Sequence, residues 1–256
     1  MEYVTPAPGS SPRTVLVTGA ARGLAQGIAA DLAAHAYRVA FTYRPGGSGP
    51  EETLAKIRAR GGDALALAAD HAQPGATAAA VERAEGAFGR LDALVHGVGP
   101  IVVRAFARSS REDYAAMIDG NLGSAVEAAF AVLPGMRARG FGRLVFFGMN
   151  GSHVTLPARG MTLYGAAKAG VVAFARALAL EEAAHGISVN VVEPGDIRDK
   201  TLDRAASRAL PAENPTGHAG SWEDIAAAVR FVLADENGFF NGMTLGVNGG
   251  LAQPHE

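Results

Sequence analysis

TVLVTGAARGLAQGIAADLAAHAYRVAFTYR, residues 14–44, holds a short β-branched run, a glycine cluster, an alanine-rich stretch of helical length and a second β-branched run. Branched side chains fit a pleated, half-buried surface, whereas alanine favours helix. Strand, glycine turn, helix, strand is the unit that builds a parallel sheet, because two parallel strands need a crossover connection. The glycines between Thr18 and Gly27 let the backbone turn tightly and approach a pyrophosphate, and the helix that follows offers unpaired N–H groups and a favourable dipole. A plain turn would also be glycine-rich, but the position after the first strand and before a helix favours nucleotide binding. Gly19, Arg22, Gly23 and Leu24 are the candidate contacts. The same loop would serve S-adenosylmethionine in a methyltransferase, so residues further along must decide.

The alternation continues outward. Further strand-like runs stand at 64–69, 91–97, 143–148, 187–192 and 243–248, and helical stretches at 51–61, 75–88, 110–138, 161–185 and 222–235. This pattern predicts an α/β fold: a single-domain, Rossmann-type, doubly wound parallel sheet of about seven strands with helices on both faces. It would occupy residues 13–256, after a flexible arm over 1–12 that is rich in Pro, Gly and Ser and offers little apolar area to offset its ordering entropy. The poorly periodic segment from Gly195 to Gly220 is a candidate substrate lid.

Composition narrows the partners. A net charge of −2 with 19% charged residues gives no basic field to attract nucleic acid or an anionic membrane, so a small-molecule partner is expected. With no cysteine, disulfides and thiolate metal sites are excluded, and no metal site is expected. The start of the chain lacks the basic and apolar segments of a secretory signal, and no continuous apolar run reaches the ~20 residues of a membrane helix. The expectation is a soluble, cytoplasmic protein.

Cofactor choice is read at the end of the second strand, where an acidic residue would accept hydrogen bonds from the ribose hydroxyls of NAD. Here the strand ends FTYR, with no Asp or Glu before Glu51. Arg44, with Arg22, could instead neutralise a 2′-phosphate, so NADP(H) is expected. Asp70, after the third strand, is placed to cap a turn or to touch the adenine.

Tyr164-Gly-Ala-Ala-Lys168 opens a helical stretch, and its i to i+4 spacing puts both side chains on one face. A phenol with an unperturbed pKa near ~10 is a poor acid–base catalyst at neutral pH, and an adjacent ammonium favours the phenolate. Lys168 is one of only three lysines against twenty arginines, consistent with a need for a compact, multi-donor ammonium.

With these residues in place the chain resembles the short-chain dehydrogenase/reductase family over nearly its whole length, 3-oxoacyl-carrier-protein reductases in particular. The glycine loop is similar to the family's TGxxxGxG, YGAAK to its YxxxK, Pro194-Gly195 to the PG after its sixth strand, and Asn248-Gly249-Gly250 to its C-terminal turn. The resemblance implies hydride transfer between a nicotinamide and a carbonyl or alcohol carbon, with Tyr164 as acid or base. Lys168 would orient the ribose and lower the tyrosine pKa, and Asn121 would hold a water in the relay behind the lysine. Gly97, Pro194, Gly195 and Ile197 would line the cofactor. The long helices would form a homodimer or homotetramer interface, and the substrate would be a small carbonyl, an alcohol or an acyl thioester. Arg104, Arg108, Arg111, Arg137 and Arg139 could meet an acidic carrier protein.

Three departures stand out. Ala25 replaces a glycine of the loop. The usual NNAG after the fourth strand is His96-Gly97-Val98-Gly99, which lacks the amide that braces the sheet. The catalytic serine is absent from its usual place: counting back from Tyr164 gives Gly151, and aligning on the fifth strand gives Met149. Ser152 could take that role, as could Asn150 or a backbone N–H. Loss of the group would leave a non-catalytic NADP(H)-binding sensor or scaffold. After Pro194-Gly195, Asp199 or Thr201 could bond the nicotinamide carboxamide.

Overall fold

The computed structural model describes residues 12–234, 236 and 238–251. Seven strands, β1 (Thr14–Thr18), β2 (Arg38–Tyr43), β3 (Ala64–Ala68), β4 (Ala93–His96), β5 (Gly142–Phe147), β6 (Ile187–Pro194) and β7 (Thr244–Val247), form one sheet in the order β3-β2-β1-β4-β5-β6-β7. Every pairing is parallel, as in Thr18 opposite His96. The strand order reverses between β1 and β4, and in open parallel sheets ligands bind in the crevice beyond such a switch point.

Helices cover both faces because the strands are apolar on both. Leu16 faces one core cluster with Leu94, Leu144 and Phe146, while its neighbours Val15 and Val17 face a second with Val95 and Val145. This is the two-residue alternation of a strand. The first face receives α3 (Ala76–Phe88), α5 (Ser124–Arg139) and α6 (Thr162–Glu182); the second receives α1 (Gly23–Ala34), α2 (Glu51–Arg58) and α8 (Trp222–Leu233). α1 and α8 meet closely enough that a Cβ on Gly27 would lie 2.6 Å from the Trp222 ring.

One element differs from the sequence expectation. The stretch 110–138 is not one regular helix: α4 (Arg111–Met117) passes through a π-helical turn, Ile118–Gly123, into α5. The segment after Gly195 is an ordered structure. It contains the short α7 (Arg204–Arg208), capped by Asp203, and it is tied to the C-terminal turn by Thr216 N–H donating to Gly249 O at 3.2 Å.

The helices Arg111–Arg139 and Thr162–His185 are long and apolar enough to cross a membrane by length and composition, although neither is a continuous apolar run. Alanine raises their mean hydropathy, and their inner faces, including Ala125, Ala128, Val171 and Ala175, pack into the first core cluster. The expected N-terminal arm lies, apart from Pro12, outside the described residues.

Candidate active site

The glycine loop is held from beneath. Thr53 Oγ1 donates to Ala20 O at 2.7 Å and Gln26 Nε2 to Ala21 O at 3.0 Å, while Lys56 Nζ donates to Gln26 Oε1 at 2.5 Å. Gly19 N–H is taken by Thr42 Oγ1 at 2.9 Å. Gly19 and Gly23 both have φ of +68°, which L side chains rarely adopt. α1 begins at Gly23 without a side-chain cap and with no acidic residue in its first turn, which leaves its N-terminal N–H groups available to an anion. Leu24 is half-buried against the second core cluster.

Ala25 fits because Gly97 lacks a side chain. A Cβ at Gly97 would stand 2.6 Å from the Ala25 methyl and 2.7 Å from Thr18 O, so this glycine keeps the loop seated on β4. The missing brace of the NNAG pattern is supplied by His96. Its Nδ1 meets Thr18 Oγ1 and its Nε2 meets Ser124 Oγ, both at 3.0 Å. The ring thereby links β1, β4 and the start of α5. Burial holds its pKa well below the ordinary value, so the imidazole is neutral.

Arg22 and Arg44 are exposed, and among the described residues neither has an ion-pair partner. They flank the loop as free cations. Asp70 Oδ1 accepts from Ala72 N–H at 3.2 Å, the turn-capping alternative of its two expected roles.

Tyr164 and Lys168 share one face of α6, with Lys168 Nζ 5.7 Å from the tyrosine ring centre. The ammonium is buried and donates to Phe147 O at 2.8 Å, and burial lowers its pKa to about 8. The tyrosine does not show the expected lowering: burial pushes it up to about 12, because desolvation outweighs an ammonium that is directed at a carbonyl.

Asn121 sits in the π-turn, where the wider backbone pitch turns it inward. Its Nδ2 donates to Pro100 O at 3.0 Å and to Met117 O at 2.9 Å. Its Oδ1 is buried with no partner. A Cβ built on Gly99 would lie 2.8 Å from that oxygen and 3.1 Å from Lys168 Nζ, so the two groups face the same spot. An unsatisfied buried acceptor beside a multi-donor ammonium suits a bridging water.

The region of the absent serine is rebuilt around Glu193, a fully buried carboxylate at the end of β6. It accepts from Ser152 Oγ at 2.6 Å, His153 N at 2.9 Å, His153 Nδ1 at 2.8 Å and Gly151 N at 3.1 Å. The hydroxyl proton of Ser152 is therefore committed to Glu193, and Ser152 Oγ also accepts from Met149 N at 3.2 Å. The Met149 sulfur lies 3.8 Å from a Cβ position on Gly165, beside Tyr164. Asn150 Oδ1 accepts from Asn248 Nδ2 at 2.7 Å, which leaves the amide N–H groups of Asn150 to donate elsewhere.

Pro194 ends β6. Gly195 N–H donates to Val247 O at 2.9 Å, and a side chain at Gly195 would strike Asn248 Cα at 2.5 Å. Ile197 packs against the second core cluster and, with Asp196, Arg208, Asn214, His218 and Asn248, lines a cavity of about 340 Å³. Asp199 Oδ1 accepts from Thr201 N at 2.8 Å and Thr201 Oγ1 at 2.6 Å, so these two exposed residues bond one another. Glu193, Thr42, Thr53, Gln26 and Lys200 were not singled out by sequence. Of these, only Glu193 carried a signal, an acidic residue inside an otherwise buried strand.

A glycine loop at the switch point of a doubly wound sheet, beside a buried lysine, a tyrosine and an asparagine with an open acceptor, defines a dinucleotide-dependent oxidoreductase of the α/β class. The family model described as enoyl-(acyl carrier protein) reductase matches residues 19–252. The short-chain reductase protein NovJ of Streptomyces niveus is 34% identical over 251 residues, covering 94% of each chain. The 3-oxoacyl-[acyl-carrier-protein] reductase FabG of Escherichia coli is 33% identical over 243 residues, covering 93% of this chain and 97% of that one. A solved chain from Sinorhizobium meliloti 1021, described as a candidate short-chain alcohol dehydrogenase, superposes with a TM-score of 0.84 at 32% identity, covering 94% of this chain and 96% of its own. The protein belongs to the short-chain dehydrogenase/reductase family of oxidoreductases.

Proposed function

We propose that the protein is an NADP(H)-dependent reductase of a ketone, with a 3-oxoacyl thioester as the favoured substrate class. The observation that carries the reading is the convergence of Lys168 Nζ and the unpartnered Asn121 Oδ1 on one spot over Gly99, next to Tyr164. The relatives named 3-oxoacyl-carrier-protein reductase and acetoacetyl-CoA reductase support the thioester. Arg22 and Arg44, free of ion pairs, support the 2′-phosphate, and the glycine loop with Gly97, Pro194, Gly195 and Ile197 would hold the rest of the cofactor. The bound nicotinamide supplies the hydride.

The chain's own residues handle the proton. Tyr164, a neutral phenol until about pH 12 in the cofactor-free protein, is ready as the acid that protonates the carbonyl oxygen. Lys168 and a water held by Asn121 return a proton to the phenol. Since Ser152 is engaged by Glu193, the Asn150 amide N–H is the donor we assign to the substrate carbonyl, steered by its bond to Asn248. Arg108 and Arg111 near the fourth helix would be the contacts for an acidic carrier, since Arg104, Arg137 and Arg139 pair with Asp113, Glu182 and Glu85.

The test is NADPH oxidation with acetoacetyl-CoA, followed at 340 nm, for wild type and Tyr164→Phe. Turnover in the wild type with a loss of at least ~1,000-fold in the variant, at unchanged NADPH affinity, is expected. Tight NADPH binding with no turnover of acetoacetyl-CoA or of a panel of ketones would instead establish the sensor or scaffold reading.

A further inference from the structure

The sequence assigns no cofactor contact to the lid beyond Ile197, Asp199 and Thr201, yet one lid side chain lies on the glycine loop. The Lys200 carbon Cδ is 3.5 Å from the position a Cβ would take on Gly23. Any side chain at Gly23 would meet it, and the ammonium lies only two bonds further on. The charge of Lys200 is uncompensated: it is exposed, and among the described residues it has neither an ion-pair nor a hydrogen-bond partner. That is not for want of acids nearby. Asp196 pairs with Arg198, Asp199 bonds Thr201, Asp203 caps α7 and Asp224 pairs with Arg204. Every neighbouring carboxylate is engaged by another group.

We propose that Lys200 is a diphosphate-binding residue of the cofactor site, a cation carried by the 195–220 segment and laid beside the α1 N-terminus, where the pyrophosphate would sit. The inference rests on the dinucleotide reading above and goes beyond it in naming a lid contact. Three features combine. The uncapped first turn of α1 presents N–H groups, Gly23 keeps the loop surface flat, and the stem of Lys200 packs on that flat surface. Arg22 and Arg44 mark the adenosine 2′-phosphate end, so Lys200 reads a charge common to NADP and NAD, whereas the arginines read the charge that distinguishes them. The lysine also lines a cavity of about 280 Å³ with Lys56, Arg60, Asp203 and Trp222. Trp222 is the only tryptophan of the chain, which makes its fluorescence a reporter at this position.

The experiment is direct binding, by calorimetry and by Trp222 fluorescence, to the full chain and to its Lys200→Met and Lys200→Arg variants. The probes are NADP+, NAD+, ADP-ribose and adenosine 2′-monophosphate. Methionine keeps most of the stem and removes the charge at an exposed position, so thermal melting should not change. Lys200→Met is expected to weaken NADP+, NAD+ and ADP-ribose each by roughly tenfold, as for loss of one charge-assisted hydrogen bond, and to leave adenosine 2′-monophosphate unchanged. Lys200→Arg should restore most of the affinity. Unchanged dissociation constants for the three diphosphates would overturn the proposal, as would a loss confined to the two ligands that carry a 2′-phosphate. If the wild type binds none of the dinucleotides, the dinucleotide reading itself fails, an outcome distinct from either of these.

Discussion

Ser152 and Asn150 stand two residues apart, and their surroundings give them different work. A hydroxyl that donates to a fully buried carboxylate is part of a structural clamp, since removing it would leave Glu193 short of a donor in a low-dielectric site. Ser152→Ala should therefore leave kcat/KM within a few-fold of wild type and lower stability by ~1–3 kcal/mol, read by urea unfolding. Asn150→Ala should do the reverse: stability nearly kept, kcat reduced ~100-fold as for loss of one carbonyl donor, and cofactor affinity intact. A large kcat loss in Ser152→Ala with a silent Asn150→Ala would return the role to the serine. The sequence showed that the usual serine was missing, but it did not reveal the clamp. Glu193 and the Gly151–His153 turn are some forty residues apart and meet only because β5 and β6 are neighbours.

At the scale of elements, legibility followed periodicity. Each strand-like run became a strand within two residues of its expected ends, and the helical stretches between them became crossovers, because alternating β-branched and alanine-rich segments leave few alternatives. The π-turn at Ile118–Gly123 was not legible, since it is a backbone adjustment within an otherwise helical pattern. It nevertheless carries Asn121, and Ser124 at its exit receives His96. His96 and His71 form a second unwritten feature, a buried and a half-buried imidazole with ring centres 6.2 Å apart. His71 is held between Thr42 Oγ1 at 2.7 Å and Thr77 Oγ1 at 2.8 Å, and burial lowers its pKa from 6.5 to about 4. Between those values the unfolded chain takes up a proton that the folded chain refuses. Stability is thus fully present above pH 6.5 and lost as pH falls toward 4, with His96 adding in the same direction. The melting temperature should fall steeply over this window, and His71→Gln should flatten the slope by an amount on the order of 2 kcal/mol at about pH 4.5. An unchanged slope would mean that His71 is protonated in the folded protein.

The whole molecule leaves large apolar side chains outside. Phe130 on α5 is 69% exposed and Leu180 on α6 is 82% exposed. A separate group gathers between α8 and β7, where Phe239 is 92% exposed next in sequence to the Phe240 ring that pairs with Phe231. Single exposed apolar residues are ordinary, but large ones on α5 and α6, which lie over the same face of the sheet, are what an association surface would use. Both helices are alanine-rich, and small residues let helices from two subunits approach closely. A two-fold contact buries the same patch on each copy, and the exposed faces of α5 and α6 would supply such a patch. A second strip at α8 and β7 would extend the dimer to a tetramer. Sedimentation velocity at micromolar concentration should then give a dimer or tetramer for the wild type. Phe130→Glu with Leu180→Arg should release smaller species while leaving the melting curve of each subunit cooperative, and Phe239→Glu should act only on the tetramer. A wild-type monomer would show that these faces have no partner in a second copy. If Phe130→Glu with Leu180→Arg sediments like the wild type, the contact lies elsewhere on the surface.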